Sequence, residues 1–257
     1  YSQPPVLRPR EYSMFSLILP FLEESSFFGR FDLTDRIYAS EDVLRHSLPI
    51  FTCPSDNAKG RTWDRRFARS NYVACVGSTT HAPTVLPSRH FAGGPPDGNY
   101  DANDLETDGV FRIQGGQLGR ETRVIRDGMS NTVMVSEILA GQDDTFGVIP
   151  GVGKENALRG LWMHVWMGMS CYTHLLTPNS SAGDGVASHR CMDLPNMPCN
   201  PQAKSGGGEY AAARSHHPGG VLVVFADGHV LFYGDTVDYP LWQAIATFDG
   251  SEVISDE

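Results

Sequence analysis

The sequence predicts an α+β domain built on a largely antiparallel β-sheet, with few short helices and long loops. Three observations lead there. Two apolar, β-rich runs at 221–225 and 230–233 flank the dipeptide Asp227-Gly228, the pattern of a hairpin. Asp-Gly steps recur at Asp97, Asp108, Asp127, Asp184, Asp227 and Asp249, each a turn signal. Gly (27) and Pro (17) are plentiful while charged residues are only 19%, a composition of turns and strands rather than of a helical bundle.

The elements follow in order. Residues 1–12, with Pro4, Pro5 and Pro9, read as an extended lead-in. A single domain then covers 13–257. The apolar stretch 14–28 is interrupted by Pro20, which predicts a short element on each side instead of one helix. Ser40, followed by Glu41 and Asp42, suits a helix start that must end before Pro49. Residues 50–56 and 71–77 read as short buried strands. Residues 79–108 and 176–210 are polar and rich in turn formers, and read as long loops. Within 127–137 the Asp127-Gly128 step feeds a β-type run, and 160–174, carrying Trp162 and Trp166, reads as a strand pair or an aromatic core segment.

At the C-terminal end, a two-residue type I′ turn at Asp227-Gly228 would set His229 opposite Ala226 and His217 opposite Asp238. Because run 221–225 is apolar at every position, it is expected to be covered on both faces. A short helix starting near Pro240 should lay Leu241, Trp242, Ile245 and Ala246 over the hairpin.

Several ordered motifs carry a family resemblance. His217, nine intervening residues and Asp227-Gly228 form an H-x9-DG signature. Leu19-Pro20-Phe21-Leu22-Glu23, Cys53-Pro54-Ser55-Asp56 and Asn71-Tyr72 precede it in the chain. So do Asp127-Gly128-Met129-Ser130-Asn131-Thr132 with Glu137, and Arg214-Ser215-His216-His217-Pro218-Gly219-Gly220-Val221. Together they resemble the prepilin-type processing-associated H-x9-DG proteins, the DUF1559 family. The resemblance implies a pseudopilin-like head, extracytoplasmic and oligomeric, whose partners are other protein subunits of an envelope filament or a secretion-type system. Members of that family usually start with a prepilin cleavage site and an apolar helix, which this sequence does not contain; membrane contact is expected only through such a segment. A secreted accessory or binding subunit without a pilin helix is the alternative. A calcium- or histidine-dependent hydrolase is a third reading.

Charge and composition narrow the chemistry. The formal net charge of −10 argues against a nucleic-acid partner, which would need clustered Lys and Arg. No G-x-S-x-G, Walker A or C-x-x-C pattern occurs, so no catalytic residue is assigned and no enzyme is expected. His217, Asp227, Gly228, Asn131 and Glu137 are family-motif residues for which structural roles are expected, Asp227 as a turn former. The candidate Ca²⁺ loop is Asp97, Asn99, Asp101, Asn103 and Asp108, because alternating oxygen ligands on a curled loop can converge on one ion; a solvated acidic loop is the other reading. Of the five cysteines, Cys191 and Cys199 close the shortest loop and are the candidate disulfide, with reduced buried thiols as the alternative. Phe27, Phe28 and Phe31 belong either to a partner surface or to the core.

Overall fold

The computed structural model describes residues 12–32, 41–56, 62–63, 67–79, 107–113, 117–141, 148–149, 153–154, 158–186, 193–201 and 208–250. Pro20 divides the first apolar stretch as its chemistry requires. Helix α1 (Met14–Leu17) gives way to a 3₁₀ turn at Leu19–Leu22, and α2 (Ser25–Phe28) follows. Tyr12 and Ser13 dock this segment on the chain near 163–164, through a Tyr12–His164 bridge and a 2.9 Å bond from the Ser13 N–H to the Met163 carbonyl. Phe27 is buried, and Phe28 and Phe31 pack partly buried against the core, so these aromatics serve the interior. Helix α3 (Glu41–Leu44) ends well before Pro49.

Residues 50–56 are not a strand. Pro49–Phe51 is a 3₁₀ turn, where the fixed φ of Pro49 suits a helical first position. The chain then turns at Cys53-Pro54-Ser55-Asp56, closed by a 3.1 Å bond from the Asp56 N–H to the Cys53 carbonyl. Strands β1 (Thr62–Trp63) and β2 (Phe67–Ala68) form a small hairpin. Next comes β3 (Tyr72–Cys75), followed by the hairpin β4 (Phe111–Ile113)–β5 (Gln117–Gly119). Strand β6 (Val133–Glu137) lies where the Asp127-Gly128 turn predicts it. The short pair β7 (Val148–Ile149)–β8 (Gly153–Lys154) and β9 (Cys171–Tyr172) precede the C-terminal hairpin, β10 (Gly220–Phe225) and β11 (Val230–Gly234). Helix α4 (Tyr239–Ala244) closes the described chain, N-capped by Asp238, whose carboxylate accepts the Leu241 N–H at 3.1 Å.

The central sheet has five strands in the order β11-β10-β6-β3-β9. All its pairings are antiparallel except β3 with β9, which is parallel. This is an α+β fold with a largely antiparallel sheet and few short helices. One face, with Val73, Val133, Val221, Val223 and Phe225, is buried beneath Trp242, Ile245 and Ala246, with Trp162 also in the core. Segment 160–174 is the aromatic core segment, carrying isolated bridges and β9 but no strand pair.

Two expectations about the hairpin are corrected. Val224 pairs with Val230, so Phe225 stands opposite His229 and the loop has three residues, not two. The Gly228 N–H bonds the Phe225 carbonyl at 2.9 Å, and Gly228 alone takes a positive φ, 92°. Asp227 does not, which excludes type I′; the geometry is a type I turn followed by a left-handed glycine. Nor is β10 covered on both faces. Leu222 is 40% exposed, and across β11 Val230, Leu231 and Phe232 are each about half exposed. Because β11 is the sheet edge, it has a neighbour on one side only.

A buried ion triad fastens the chain leading into β10. Asp184 accepts from Arg159 at 2.5 Å and from Arg214 at 2.8 Å, with all three side chains at most 1% exposed. The two guanidinium groups hold its carboxyl below the usual range despite desolvation, the largest opposing influence. Cys199 is disulfide-bonded, whereas Cys53, Cys75 and Cys171 are free thiols. Cys191 lies outside the described residues.

Candidate functional site

The family motifs separate to opposite ends of β10 and β6. At the turn end, the loop before β6 meets the tip of the hairpin. The Asn131 side chain donates to the Asp127 carbonyl at 2.9 Å, and the Ala226 N–H bonds the Thr132 carbonyl at 2.8 Å. Asp227 Oδ1 accepts the backbone N–H of His229 at 3.1 Å and faces His229 Nδ1 at 2.6 Å. These bonds hold the exposed Asp227 carboxyl below its ordinary value. Asn131, Asp227 and Gly228 therefore shape turns, and Asp227 does not meet His217.

At the other end, three segments converge. Tyr72 on β3 stands in register with Glu137 on β6, and alternation puts both side chains on the sheet face opposite the main core. Glu137 lies at the end of its strand, where its Oε2 accepts the Leu222 N–H of β10 at 2.7 Å. Its Oε1 lies 3.0 Å from His217 Nε2. Cys53 Sγ, from the turn after the 3₁₀ segment, lies 3.7 Å from the same nitrogen. The three ligand-type atoms lie within 4.8 Å of one another, with Cys53 and Glu137 buried and His217 half-buried. Burial, the largest influence, pushes the Glu137 carboxyl above its ordinary value, while the Leu222 N–H and the His217 ring pull it down. Burial, the largest influence, also raises the Tyr72 phenol, and its neighbours Cys53 and Glu137 act in the same direction.

The supporting bonds explain why the other motif residues sit where they do. Asn71 accepts the Cys53 N–H at 2.9 Å and donates to the buried Asp56 carboxylate and, at 3.1 Å, to the Ile138 carbonyl. Asp56 also accepts the Ala140 N–H at 2.9 Å, and His216 Nε2 lies 3.8 Å from its other oxygen. The His217 loop is pinned at Arg214 by the ion triad and at Ser215. The Ser215 N–H bonds Asn179 at 2.8 Å, and its hydroxyl donates to the Gly220 carbonyl at 2.7 Å while accepting the His217 N–H at 3.0 Å. The two glycines after Pro218 differ in purpose. Gly219 has φ +79°, whereas a Cβ on Gly220 would come within 2.1 Å of the Tyr233 carbonyl oxygen across the hairpin.

The sequence marks His217 and Glu137 as motif residues but does not join Cys53 to them. Its signal was the Cys53-Pro54-Ser55-Asp56 motif, whose position on the sheet depends on tertiary packing. Of the candidate Ca²⁺ loop, Asp97, Asn99, Asp101 and Asn103 lie outside the described residues. The described member, Asp108, accepts both the backbone N–H of Ser78, at 3.0 Å, and its hydroxyl. It lines the close approach of Gly77 and Gly109, where a Cβ on Gly109 would meet the Gly77 nitrogen at 2.5 Å. Cys75 is a different kind of thiol from Cys53: fully buried, its pKa is pushed up to about 12, mainly by desolvation, so it is an inert core residue.

Fold and site together define a loop-rich α+β domain whose ordered motifs split into a turn cluster and a Cys–Glu–His cluster. The family model described as "Protein of unknown function (DUF1559)" matches residues 2–239, and the chain belongs to that family. No curated protein and no solved structure matches it significantly. Among the described residues, no helix is long and apolar enough to cross a membrane.

Proposed function

We propose that this chain is the head of a pseudopilin-like, extracytoplasmic assembly component of the bacterial envelope, acting through protein–protein contact and not through catalysis. The observation that carries this reading is the open edge of the central sheet. Strand β11 exposes about half of Val230, Leu231 and Phe232; Val230 and Phe232 share a face with Leu222 of β10, while Leu231, opposite Val223, emerges on the other. An apolar edge strand with unpaired backbone groups is a template for another strand, and monomeric proteins usually blunt it with charge, proline or a bulge. Strand β11 carries none of these. The occupant proposed is another subunit of the same class, added edge to edge. The disulfide at Cys199 supports an oxidising compartment.

The test compares the wild-type chain with a Leu231→Lys/Phe232→Lys double variant. Both are studied by light scattering as purified proteins and by site-directed cross-linking through β11 in cells. Concentration-dependent association and self-cross-links in the wild type, lost in a variant of unchanged circular dichroism, are expected. A wild type that stays monomeric throughout and yields no cross-link through β11 in cells sinks the proposal.

A further inference from the structure

We propose that Cys53 Sγ, Glu137 Oε1 and His217 Nε2 form a zinc site with its fourth position on the exposed side of His217. The thiol and the carboxylate converge on one atom. In a thiol–imidazole–carboxylate catalytic relay, the thiol and the acid engage different ring nitrogens, because the acid must hold the imidazole from behind. Here Glu137 at 3.0 Å and Cys53 at 3.7 Å both face Nε2, and among the described residues no carboxylate bonds Nδ1. A single ring nitrogen carries either one proton or one lone pair. Through hydrogen bonds it reaches both only as a shared, bifurcated donor, whereas an ion between the three atoms satisfies them all.

The spacing also suits zinc. Tetrahedral zinc with Zn–S of about 2.3 Å and Zn–N and Zn–O of about 2.0 Å sets its ligands roughly 3.3 Å (N to O) and 3.5 Å (S to N) apart. The observed 3.0 and 3.7 Å differ from these by a few tenths of an ångström, within reach of small side-chain rotations. Ligand chemistry then selects the ion. A thiolate beside an imidazole excludes Ca²⁺ and Mg²⁺, which take oxygen ligands, and a set of one S, one N and one O suits borderline Zn²⁺.

The three ligands are also held from outside. The Leu222 N–H fixes the second oxygen of Glu137, Asn71 fixes the backbone at Cys53, and Ser215 fixes the backbone at His217. Such outer contacts are what orient metal ligands and preserve affinity. Binding would displace the thiol proton of Cys53 to solvent, leaving three protein ligands and a water, the coordination of an open site.

The experiment uses the purified full chain with any affinity tag removed, stripped with chelator and titrated with Zn²⁺ against a chromophoric competitor; Co²⁺ is added separately as a spectroscopic probe. Expected are one zinc per chain, proton release on binding, a rise in melting temperature with free zinc, and a Co²⁺ spectrum with a thiolate charge-transfer band and intense tetrahedral d–d bands. Loss of outer-sphere partners alone costs roughly 10–100-fold in metal affinity, so Cys53→Ser and His217→Ala should each weaken binding by at least about 100-fold. Glu137→Gln, which retains an oxygen for the Leu222 N–H, should weaken it less. Circular dichroism without metal checks that the variants fold, and the wild-type cobalt spectrum stands even where one does not. Absence of stoichiometric zinc binding, a cobalt spectrum without the thiolate band, or affinity unchanged in both folded ligand variants would overturn the assignment.

Discussion

Replacing Asp184 with Asn tests the energetic logic of the domain most directly. Its carboxylate is wholly buried between Arg159 and Arg214, at 2.5 and 2.8 Å, and it also accepts the Ala212 N–H at 3.1 Å. Asparagine keeps the shape and one acceptor but leaves two buried guanidinium groups facing a neutral amide. Removing one partner of a buried ion pair costs about 3–5 kcal/mol, because the remaining charge stays desolvated. That is a large part of the roughly 5–15 kcal/mol that holds a typical domain together. For a chain of this size it corresponds to a fall of roughly 6–10 °C in melting temperature. The assay is urea unfolding followed by tryptophan fluorescence at neutral pH, with Asp249→Asn as control. Asp249 makes the exposed ion pair with Arg126, and its loss should cost less than about 1 kcal/mol. An Asp184→Asn variant no less stable than that control would refute the reasoning. A pH arm has a defined sign. Because the folded carboxyl is depressed, its stabilisation is fully present above the unfolded value near 3.8 and is lost as pH falls through the folded one.

Two further outcomes are expected. His174 donates from Nδ1 to the Trp242 carbonyl, accepts the Tyr172 hydroxyl at Nε2 and stacks on Trp242 at 3.7 Å. Burial lowers its pKa from 6.5 to about 3, so between those values the unfolded chain takes up a proton that the folded one refuses. Stability should therefore fall as pH drops below 6.5, by about 3 kcal/mol at pH 4.5; His174→Gln should lose that part of the slope, and an unchanged pH dependence would contradict it. Gly220→Ala should cost about 2–3 kcal/mol, since its Cβ would strike the Tyr233 carbonyl at 2.1 Å and backbone cannot yield as a side chain does. Gly219→Ala, with φ +79° and open space around its Cβ, should cost only about 1 kcal/mol; equal losses in thermal melts would show that packing against β11 is not the cause.

Much of the local structure was legible in the chain. The break at Pro20, the strand after Asp127-Gly128, the Asp227-Gly228 hairpin and the helix around Trp242 follow from residue chemistry acting over a few neighbours. The hairpin's loop length was not legible. Asp-Gly serves either a two-residue turn with both residues at positive φ or a three-residue one with only the glycine there. The tie from Ala226 to Thr132 goes with the second, and that shifts the register by one. Nor could apolar content show that β10 is covered on one face only, because this depends on which face of the sheet another layer packs against.

The site shows the same division more sharply. The ordered motifs by themselves determined the family and pointed to Cys53, Glu137 and His217 as separate marks in three distant segments. Only the tertiary structure decided that they form one cluster and that Asp227, written into the same signature as His217, stands apart at the opposite end of β10. The physical reason is that sequence spacing along a strand sets which face a side chain takes. Which strands become neighbours, and where a turn such as 53–56 is pressed against the sheet, follows from packing across the whole core.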